Sequence, residues 1–294
     1  MSGARRISGM RLERVLPYVQ VMPLAAVLLL FLVVPLVFVG LLSFWEFDDI
    51  QYYPSFTLAN YQELFASPLT WKLMADTITF TAVVWLLTVL IGFTCSYFLT
   101  FHIRTLRVQI LLLLICTIPF WTSNVIRMIS WIPFLGKQGV FNQGLIAVGV
   151  IDQPLEFLLY SDFAVIVCYV NLFTLFMIVP IFNSMVKIDL SIIEAARDAG
   201  ANSWNILTNI IIPLSRSGIV LGTIFVVTLV MGDFFVVKIM SGSQSANVVS
   251  AMKNEIDQLY YPPAAASAML LILIVVLMIT LVLRIVDVRR ELVQ

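Results

Sequence analysis

Six long apolar runs constrain what this chain can fold into more than any other feature of its sequence. Each contains about 20 or more mainly apolar residues, the length an α-helix needs to cross a hydrocarbon core of roughly 30 Å. None shows the alternation of a β-barrel strand. The predicted spans are Val19–Ser43, Ile78–Phe101, Val108–Trp131, Phe163–Phe182, Ser217–Ile239 and Ala264–Val286. The sequence therefore predicts an all-α integral membrane protein with six transmembrane helices.

The composition agrees with a chain embedded in a bilayer. Of its 294 residues, 61% are hydrophobic and 12% are charged, whereas soluble domains have about half and about a quarter. The formal net charge of zero leaves no strongly basic surface, which argues against nucleic acid as a partner. Cys95, Cys116 and Cys168 fall inside predicted spans and are interpreted as packing residues. His102 has no second candidate ligand nearby, so no metal site is predicted.

The distribution of Lys and Arg predicts the orientation of the spans. If the N-terminus is inside, the inner segments hold Arg5, Arg6, Arg11, Arg14, Arg104, Arg107, Lys187, Arg197, Arg216, Arg284, Arg289 and Arg290. The outer segments hold Lys72, Lys137, Lys238 and Lys253. Because cytoplasmic loops carry an excess of positive residues, both termini are predicted to be cytoplasmic. The first apolar run is longer than that of a cleaved signal peptide, so we expect it to remain as a spanning helix.

A polar hairpin from Ser191 to Pro213 lies between two of these runs. Ser191 and Glu194 have the spacing of a capping box, which predicts the start of a short helix. Gly200 can adopt the left-handed conformation that ends a helix, and Asn202 or Ser203 can cap a second helix. An ordinary cytoplasmic loop is the alternative interpretation, because each short motif is common on its own.

The order of residues along this hairpin is more restrictive than its separate motifs. E-A-A, then Gly, then Ile-x-[Leu/Ile]-Pro resembles the signature of the membrane subunits of type I bacterial ABC importers, with Ile212 standing where leucine is usual. The resemblance implies a coupling helix that docks in a cleft of a cytoplasmic ATPase subunit. The residues it implicates in coupling are Glu194, Ala195, Ala196, Arg197, Asp198, Gly200 and Pro213.

A second informative stretch begins at Pro119, inside the third predicted span, and continues into the loop that follows it. It resembles the P-x-W-x-S…R…W…G-x-[ILV]-N pattern of the spermidine/putrescine branch of these permease subunits. The matching residues are Pro119, Trp121, Ser123, Arg127, Trp131, Gly139 and Asn142. The resemblance implies that the solute is a polyamine. Opines, phosphonates, other organic cations and iron chelates remain alternatives.

Two charged residues inside predicted spans are candidates for the translocation pathway. Ionisable groups in a membrane are costly and usually functional. Counting about 1.5 Å per residue from the inner ends puts Asp233 some 24 Å and Arg127 about 28 Å along their helices. At similar depth they could pair, or both could face a water-filled vestibule. Trp121 and Trp131 are the further candidates for the pathway or its gate. Separate snorkelling to the interface is the alternative.

The whole chain is expected to be one permease domain, residues 1–294. Residues 1–76 hold the tail, first span and outer segment, residues 77–286 a five-helix core, and residues 191–213 the coupling hairpin. No catalytic, cofactor-binding or metal-binding residues are predicted.

The resemblance implies a location in the bacterial inner membrane and several partners. These are an ATPase dimer that binds ATP and magnesium, a second related permease, a soluble binding protein and the lipid bilayer. An ion-driven secondary transporter, which would show inverted repeats, and a purely structural membrane subunit are the rival interpretations.

Overall fold

The computed structural model describes residues 20–48, 51–103 and 105–285. The predicted span limits Val19 and Val286 lie outside these residues. So do the predicted inner arginines Arg5, Arg6, Arg11, Arg14, Arg104, Arg289 and Arg290. Within them the chain is almost entirely helical. A single short hairpin, β1 (Glu46–Asp48) paired antiparallel with β2 (Gln51–Tyr53), is the exception in the described part.

The helices follow in chain order. The first half contains α1 (Gln20–Leu42), α2 (Ala59–Ala66), α3 (Pro68–Phe101), α4 (Leu106–Thr117), α5 (Asn124–Leu135) and α6 (Val140–Ala147). The second half contains α7 (Asp162–Met185), α8 (Leu190–Asp198), α9 (Ser203–Leu214), α10 (Arg216–Met231), α11 (Phe235–Met240), α12 (Val248–Asp257) and α13 (Tyr261–Ile285). Two 3₁₀ turns, Ile118–Trp121 and Glu156–Leu158, lie between helices.

Four described helices are long and apolar enough to cross a membrane: α1, α3, α7 and most of α13. Two further candidates are bent pairs. Leu106–Trp121 and Asn124–Ala147 meet at 88°, and Ser203–Leu214 and Arg216–Met231 meet at 64°. Counting each pair as one span gives up to six spans in the described residues.

Two predicted spans differ from the helices observed. The prediction of one helix over Val108–Trp131 is wrong, because α4 passes into the 3₁₀ turn at Pro119 and the chain is extended at Thr122. Proline lacks the N–H that a continuing α-helix needs. The fifth predicted span also ends early, at Met231, and resumes as α11 after Gly232, Asp233 and Phe234.

The described residues form two compact units. One contains the described residues up to Ala66 together with Glu255–Met269. In this unit the hydroxyl groups of Ser43 and Tyr61 are 2.7 Å apart, and Tyr52 donates a hydrogen bond to the Leu259 carbonyl at 2.7 Å. The rings of Phe47 and Tyr52 stack with centroids 4.9 Å apart.

The other unit, Ser67–Asn254 with the described residues from Leu270 onward, contains the main core. Helices α3, α7 and α10 pack against one another, and α7 contributes the most deeply buried side chains. Two polar contacts tie these helices together: Trp85 donates to Thr223 Oγ1 at 2.9 Å, and Ser96 donates to the Ile178 carbonyl at 3.0 Å. Interhelical bonds of this kind are common between membrane helices.

Gly218 permits the closest approach in this bundle. A Cβ atom at Gly218 would lie 2.8 Å from the Ile181 Cα atom and would also contact the Pro180 carbonyl oxygen. Real Cβ atoms do not come that close to backbone. The absence of a side chain on α10 is therefore what lets it lie directly against α7, as small residues do at other membrane helix contacts.

Candidate functional site

The first arm of the hairpin, α8, begins two residues earlier than the predicted capping box would place it. Asp189 is its N-cap, and the Asp189 carboxylate accepts the Ser191 backbone N–H at 2.9 Å. The predicted capping box of Ser191 and Glu194 is therefore wrong, since Ser191 lies inside the first turn. Hydrogen bonds from Ser191 hold the pKa of Asp189 below its usual value, because they favour the charged carboxylate.

The bend after α8 is a Schellman motif centred on Gly200. Gly200 has φ +86°, its N–H bonds to the Arg197 carbonyl at 2.9 Å, and the Ala201 N–H bonds to the Ala196 carbonyl at 2.9 Å. This pair of hydrogen bonds satisfies the free carbonyls at a helix end. The predicted left-handed glycine is confirmed. A Cβ atom at Gly200 would meet nothing within 4 Å, so only the backbone conformation requires glycine.

The second arm, α9, begins at the predicted cap. Asn202 Oδ1 accepts the Asn205 N–H at 2.7 Å. The arm contains a π-helical turn over Leu207–Ile211 and then Pro213, and it ends at Ser215, whose hydroxyl donates to the Ile211 carbonyl at 2.6 Å. From there the chain bends directly into α10.

The residues implicated in coupling are divided between the two faces of α8. Ile193 is buried and Ala196 packs partly against the main core. The opposite face is open to solvent and carries Glu194, Ala195, Arg197 and Asp198. Pro213 is exposed but lies separately, in α9. The structure thus brings six of the seven residues together in α8 and its bend.

A cavity of about 530 Å³ lies beside α8. Its lining includes Glu194 and Arg197 from the hairpin, Thr100 from the end of α3 and Gln109 from α4. Gln109 Nε2 donates to the Ile103 carbonyl at 2.6 Å and to the Thr100 carbonyl at 3.3 Å. The Thr100 hydroxyl is buried and has no hydrogen-bond partner among the described residues.

Arg127 and Asp233, the two charged pathway candidates, do not form an ion pair with each other. Arg127 donates through Nη2 to Asn124 Oδ1, and its guanidinium carbon lies 5.7 Å from the centre of the Phe120 ring. Its Nε and Nη1 atoms are buried without a partner among the described residues.

Asp233 lies in the break between α10 and α11. Its Oδ1 atom accepts the Val236 N–H at 2.8 Å and the Tyr169 hydroxyl at 3.2 Å, and its carbonyl accepts Asn247 Nδ2 at 2.6 Å. Tyr169 and Asn247 are almost fully buried. No local signal in the sequence points to either partner, because both stand among residues of ordinary membrane or loop composition.

The two tryptophans proposed for the pathway have different surroundings. The Trp121 side chain is 87% exposed in this chain. Trp131 packs partly against the main core and meets the Phe134 ring edge-to-face at 5.5 Å. Among the described residues, no hydrogen bond, ion pair or ring contact joins any two of Trp121, Trp131, Arg127 and Asp233. In the described residues, no group of three or more His, Cys, Asp or Glu side chains is placed to bind a metal ion.

Asn142, which the sequence pattern includes, holds a loop in place. Its side chain is fully buried, accepts the Leu155 N–H at 2.8 Å and donates to the Gly136 carbonyl at 3.0 Å. Close by in sequence, Lys137 and Glu156 form an exposed ion pair at 2.7 Å. That hydrogen bond lowers the pKa of Glu156. The hydrogen bonds of Asn142 give this residue of the sequence pattern a structural role in the loop.

Comparisons with known proteins cover most of the chain. It is 31% identical over 229 residues to the spermidine/putrescine transport system permease protein PotB of Haemophilus influenzae, covering 78% of this chain and 79% of that protein. It is 33% identical over 227 residues to PotB of Escherichia coli, covering 77% and 81%. No family model matches the chain.

Solved structures share the fold. A bacterial ABC transporter involved in the import of the acidic polysaccharide alginate matches with a TM-score of 0.74 at 16% identity, over 95% of this chain and 97% of that chain. A complex of a bacterial alginate ABC transporter with its alginate pentasaccharide-bound periplasmic protein matches with a TM-score of 0.71. The all-α membrane fold predicted from the apolar runs is thereby confirmed, and the chain belongs to the PotB family of ABC importer permease subunits.

Proposed function

We propose that this chain forms half of the translocation pathway for a polyamine such as spermidine or putrescine. A soluble extracytoplasmic binding protein delivers the solute, a second related permease supplies the other half, and a separate ATPase dimer binds ATP and magnesium. The PotB relatives, which are named for spermidine and putrescine, support the choice of solute. The Lys and Arg distribution supports termini and a hairpin in the cytoplasm.

The observation that carries the coupling role is the construction of the hairpin. Both arms are capped by side chains, and the Schellman motif at Gly200 fixes the bend between them. The hairpin also exposes large apolar side chains, among them Ile192 and Trp204 at 45% and 69%, and Leu190, just before it, is 57% exposed. Exposed apolar groups rimmed by charges are typical of protein interfaces. This surface suits a cleft in the ATPase subunit.

The structure offers a direct mechanical path from this surface into the bundle. Ile193 and Ala196 pack α8 against the main core, and α9 runs through Ser215 into α10. Helix α10 in turn lies against α7 at Gly218. When ATP closes the ATPase pair, displacement of the docked hairpin would move α10 and α7 as packed bodies. Rigid-body motion about packed interfaces is a common switching mode.

Transport by the complete complex in proteoliposomes tests the proposed function. The complex contains this chain, its partner permease, the ATPase dimer and the binding protein loaded with spermidine or putrescine. We expect uptake that requires ATP and persists when the proton gradient is dissipated. Uptake driven by a proton gradient without ATP would overturn the proposal in favour of a secondary transporter.

A cross-linking experiment tests the docking surface separately. A cysteine introduced as Ala195→Cys, on the exposed face of α8, is expected to form a disulfide with a cysteine placed in the ATPase cleft. Gln244→Cys is a matched exposed control far along the chain, between α11 and α12. Cross-linking of the control but not of the α8 variant would contradict the proposed docking.

A further inference from the structure

A groove runs along the surface where α7 meets α10. It consists of two cavities of about 300 Å³ and 310 Å³ that share Val179, Pro180 and Phe225. On the α7 side the lining residues recur at helical spacing and form one stripe: Phe176, Val179, Pro180, Asn183 and Lys187. The α10 side is a matching stripe of Ser217, Gly218, Leu221 and Phe225. We call this feature the α7–α10 groove.

The surroundings change from apolar to polar along the groove. The first cavity is lined almost entirely by apolar side chains, including Phe176 and the Phe120 ring from the 3₁₀ turn after α4. The second cavity adds polar side chains, among them Asn183 and Lys187. Phe176 lies near the middle of α7, one of the helices that could span a membrane, whereas Lys187 lies just beyond its end at Met185. The groove is therefore apolar at the depth of the hydrocarbon core and polar at the membrane surface.

The groove has about the length of one leaflet of a bilayer. Leu175 lies twelve residues before Lys187, which corresponds to about 18 Å along a helix at 1.5 Å per residue. Half of a hydrocarbon core of roughly 30 Å is about 15 Å. A chain of methylene groups that starts beside Lys187 would therefore reach the rings of Phe120, Phe176 and Phe225 near the centre of the bilayer.

The polar end of the groove carries a positive charge that the chain does not neutralise. Lys187 is the one ionisable side chain among the described residues that line the groove. It is exposed and has no ion pair or hydrogen bond in the described part of the chain, and neither has Asn183, one turn earlier and also exposed. The nearest acid in the sequence, Asp189, already caps α8 through the Ser191 N–H. An ammonium group and an amide donor are therefore both available to an anion.

We infer that the α7–α10 groove binds one anionic phospholipid of the leaflet in which α7 ends. The headgroup phosphate lies at Lys187 and Asn183, and one acyl chain runs past Pro180 and Leu221 to the phenylalanine rings. In the orientation predicted from the Lys and Arg distribution this is the cytoplasmic leaflet, whose anionic lipids attract basic side chains. The inference does not depend on which solute the complex carries.

The headgroup decides which lipid is selected. An acyl chain that enters the groove from the bilayer leaves one apolar environment for another, so the hydrophobic effect contributes little to the choice. The contact of the phosphate with Lys187 remains as the discriminating interaction. We therefore expect a preference for phosphatidylglycerol, which has a net negative charge, over phosphatidylcholine, which has none.

Photo-cross-linking with labelled lipids tests this inference. The complete complex, and separately this full-length chain, are placed in nanodiscs that contain phosphatidylglycerol or phosphatidylcholine with a photoactivatable group at the end of one acyl chain. Cross-linked peptides are identified by mass spectrometry, and the yield is divided by that at Phe31, an exposed residue of α1. We expect cross-links at residues 175–180 and at Phe225, with a yield about fivefold higher for phosphatidylglycerol, as one lysine at an anionic membrane surface would give.

A substitution at the polar end tests the role of the charge. Lys187→Gln keeps a polar side chain of similar length but removes the charge, so the preference for phosphatidylglycerol should fall to about one. Lys72→Gln is the matched control, because Lys72 is also exposed and lies near the end of a membrane-spanning helix, α3. A preference that is unchanged in Lys187→Gln, or lost equally in both variants, would overturn the assignment of the phosphate to Lys187.

A substitution at the apolar end tests the path of the acyl chain. Val179 lines both cavities, so the larger ring in Val179→Phe should block the groove and lower the cross-linking at Phe225 severalfold for both lipids. Val83→Phe, at an exposed valine of α3, is the control. If one of the two groove variants does not assemble, as judged by ATP hydrolysis of the complex, the other decides, because they act at different ends.

The remaining outcomes identify what else could cover the groove. Cross-links in the isolated chain that disappear in the complete complex would overturn the inference and assign the groove to a helix of the partner permease. Equal yields for the two lipids would also overturn it, since Lys187 would then extend into water without selecting a headgroup. Because the readout is cross-linking, failure of polyamine uptake would refute the proposed function and leave this inference to be decided by its own data.

Discussion

The Tyr169 hydroxyl donates a hydrogen bond to the Asp233 carboxylate across the contact between α7 and the break that follows α10, at 3.2 Å. The same carboxylate oxygen accepts the Val236 N–H at the start of α11. Asp233 therefore ends one helix, starts the next and anchors both to α7. Its position inside an apolar segment has a structural cause, and its role in the solute pathway stays a prediction.

Removing the Tyr169 hydroxyl should loosen this junction. Tyr169→Phe keeps the ring stack with Phe173 but leaves the carboxylate with one donor fewer. Hydrogen bonds to charged groups contribute about 1.5–3 kcal/mol, so we expect a loss of about 1.5 kcal/mol, seen as a lower thermal midpoint in detergent. Tyr97→Phe is the control, since the Tyr97 hydroxyl has no hydrogen bond in the described residues. Equal shifts in both variants would contradict the anchoring role.

A side chain at Gly200 should uncouple transport through the bend. Gly200→Val forces a β-branched residue to φ +86°, a conformation that costs an L-residue roughly 1–2 kcal/mol or more. We expect ATP-driven uptake to fall at least tenfold while the protein remains inserted. Gly200→Asn, which tolerates this conformation, should retain most uptake. Gly200→Asp distinguishes an effect on the bend from an effect on docking. If Gly200→Asp abolishes ATP-driven uptake and Gly200→Asn does not, the added charge disturbs the contact with the ATPase.

Any side chain at Gly218 should separate α10 from α7. Gly218→Ala places a Cβ atom 2.8 Å from the Ile181 Cα atom, and overpacking of this kind costs about 1–3 kcal/mol. We expect a lower thermal midpoint and reduced uptake. Gly144→Ala is the matched control, because a Cβ atom there meets nothing within 4 Å. A Gly218→Ala variant as stable as the control would show that the helices are not in contact there.

The cap of α8 should weaken in acid. The pKa of Asp189 is lower in the folded protein than in the unfolded chain, where it is about 3.9. The capping carboxylate therefore stabilises α8 at pH values above the unfolded pKa, and this contribution is lost as the pH falls through the folded pKa.

Hydrogen exchange across α8 measures this loss. Protection factors for the α8 peptide, corrected for intrinsic exchange rates, should fall between pH 6 and about pH 3. In Asp189→Asn, whose amide oxygen caps at any pH, they should stay constant over the same range. A pH dependence that persists in the asparagine variant would assign the effect to another group.

Local signals in the sequence were enough to predict several structural elements. Apolar runs identified a membrane protein because a bilayer excludes unpaired backbone groups and admits only long helices or closed barrels. The glycine at position 200 and the asparagine at 202 predicted the bend and second cap, since left-handed backbone and free N–H groups are satisfied by few residue types. The sequence prediction put the N-cap of α8 at the wrong residue, because Asp189, Ser191 and Glu194 are all able to bond the free N–H groups that open the helix.

Other features depended on the tertiary structure. That Tyr169 reaches Asp233 and that Gly218 lies against Ile181 are contacts between segments distant in the chain, and no local pattern specifies them. The break after Pro119, by contrast, has a local cause, yet only packing decides which ring it brings to α7. The sequence by itself determined that the chain spans a membrane as helices and bends at Gly200, because backbone solvation and backbone conformation are local. The tertiary structure decided which polar groups contact Asp233 and how closely α10 approaches α7, because side-chain partners are chosen by the packing of helices.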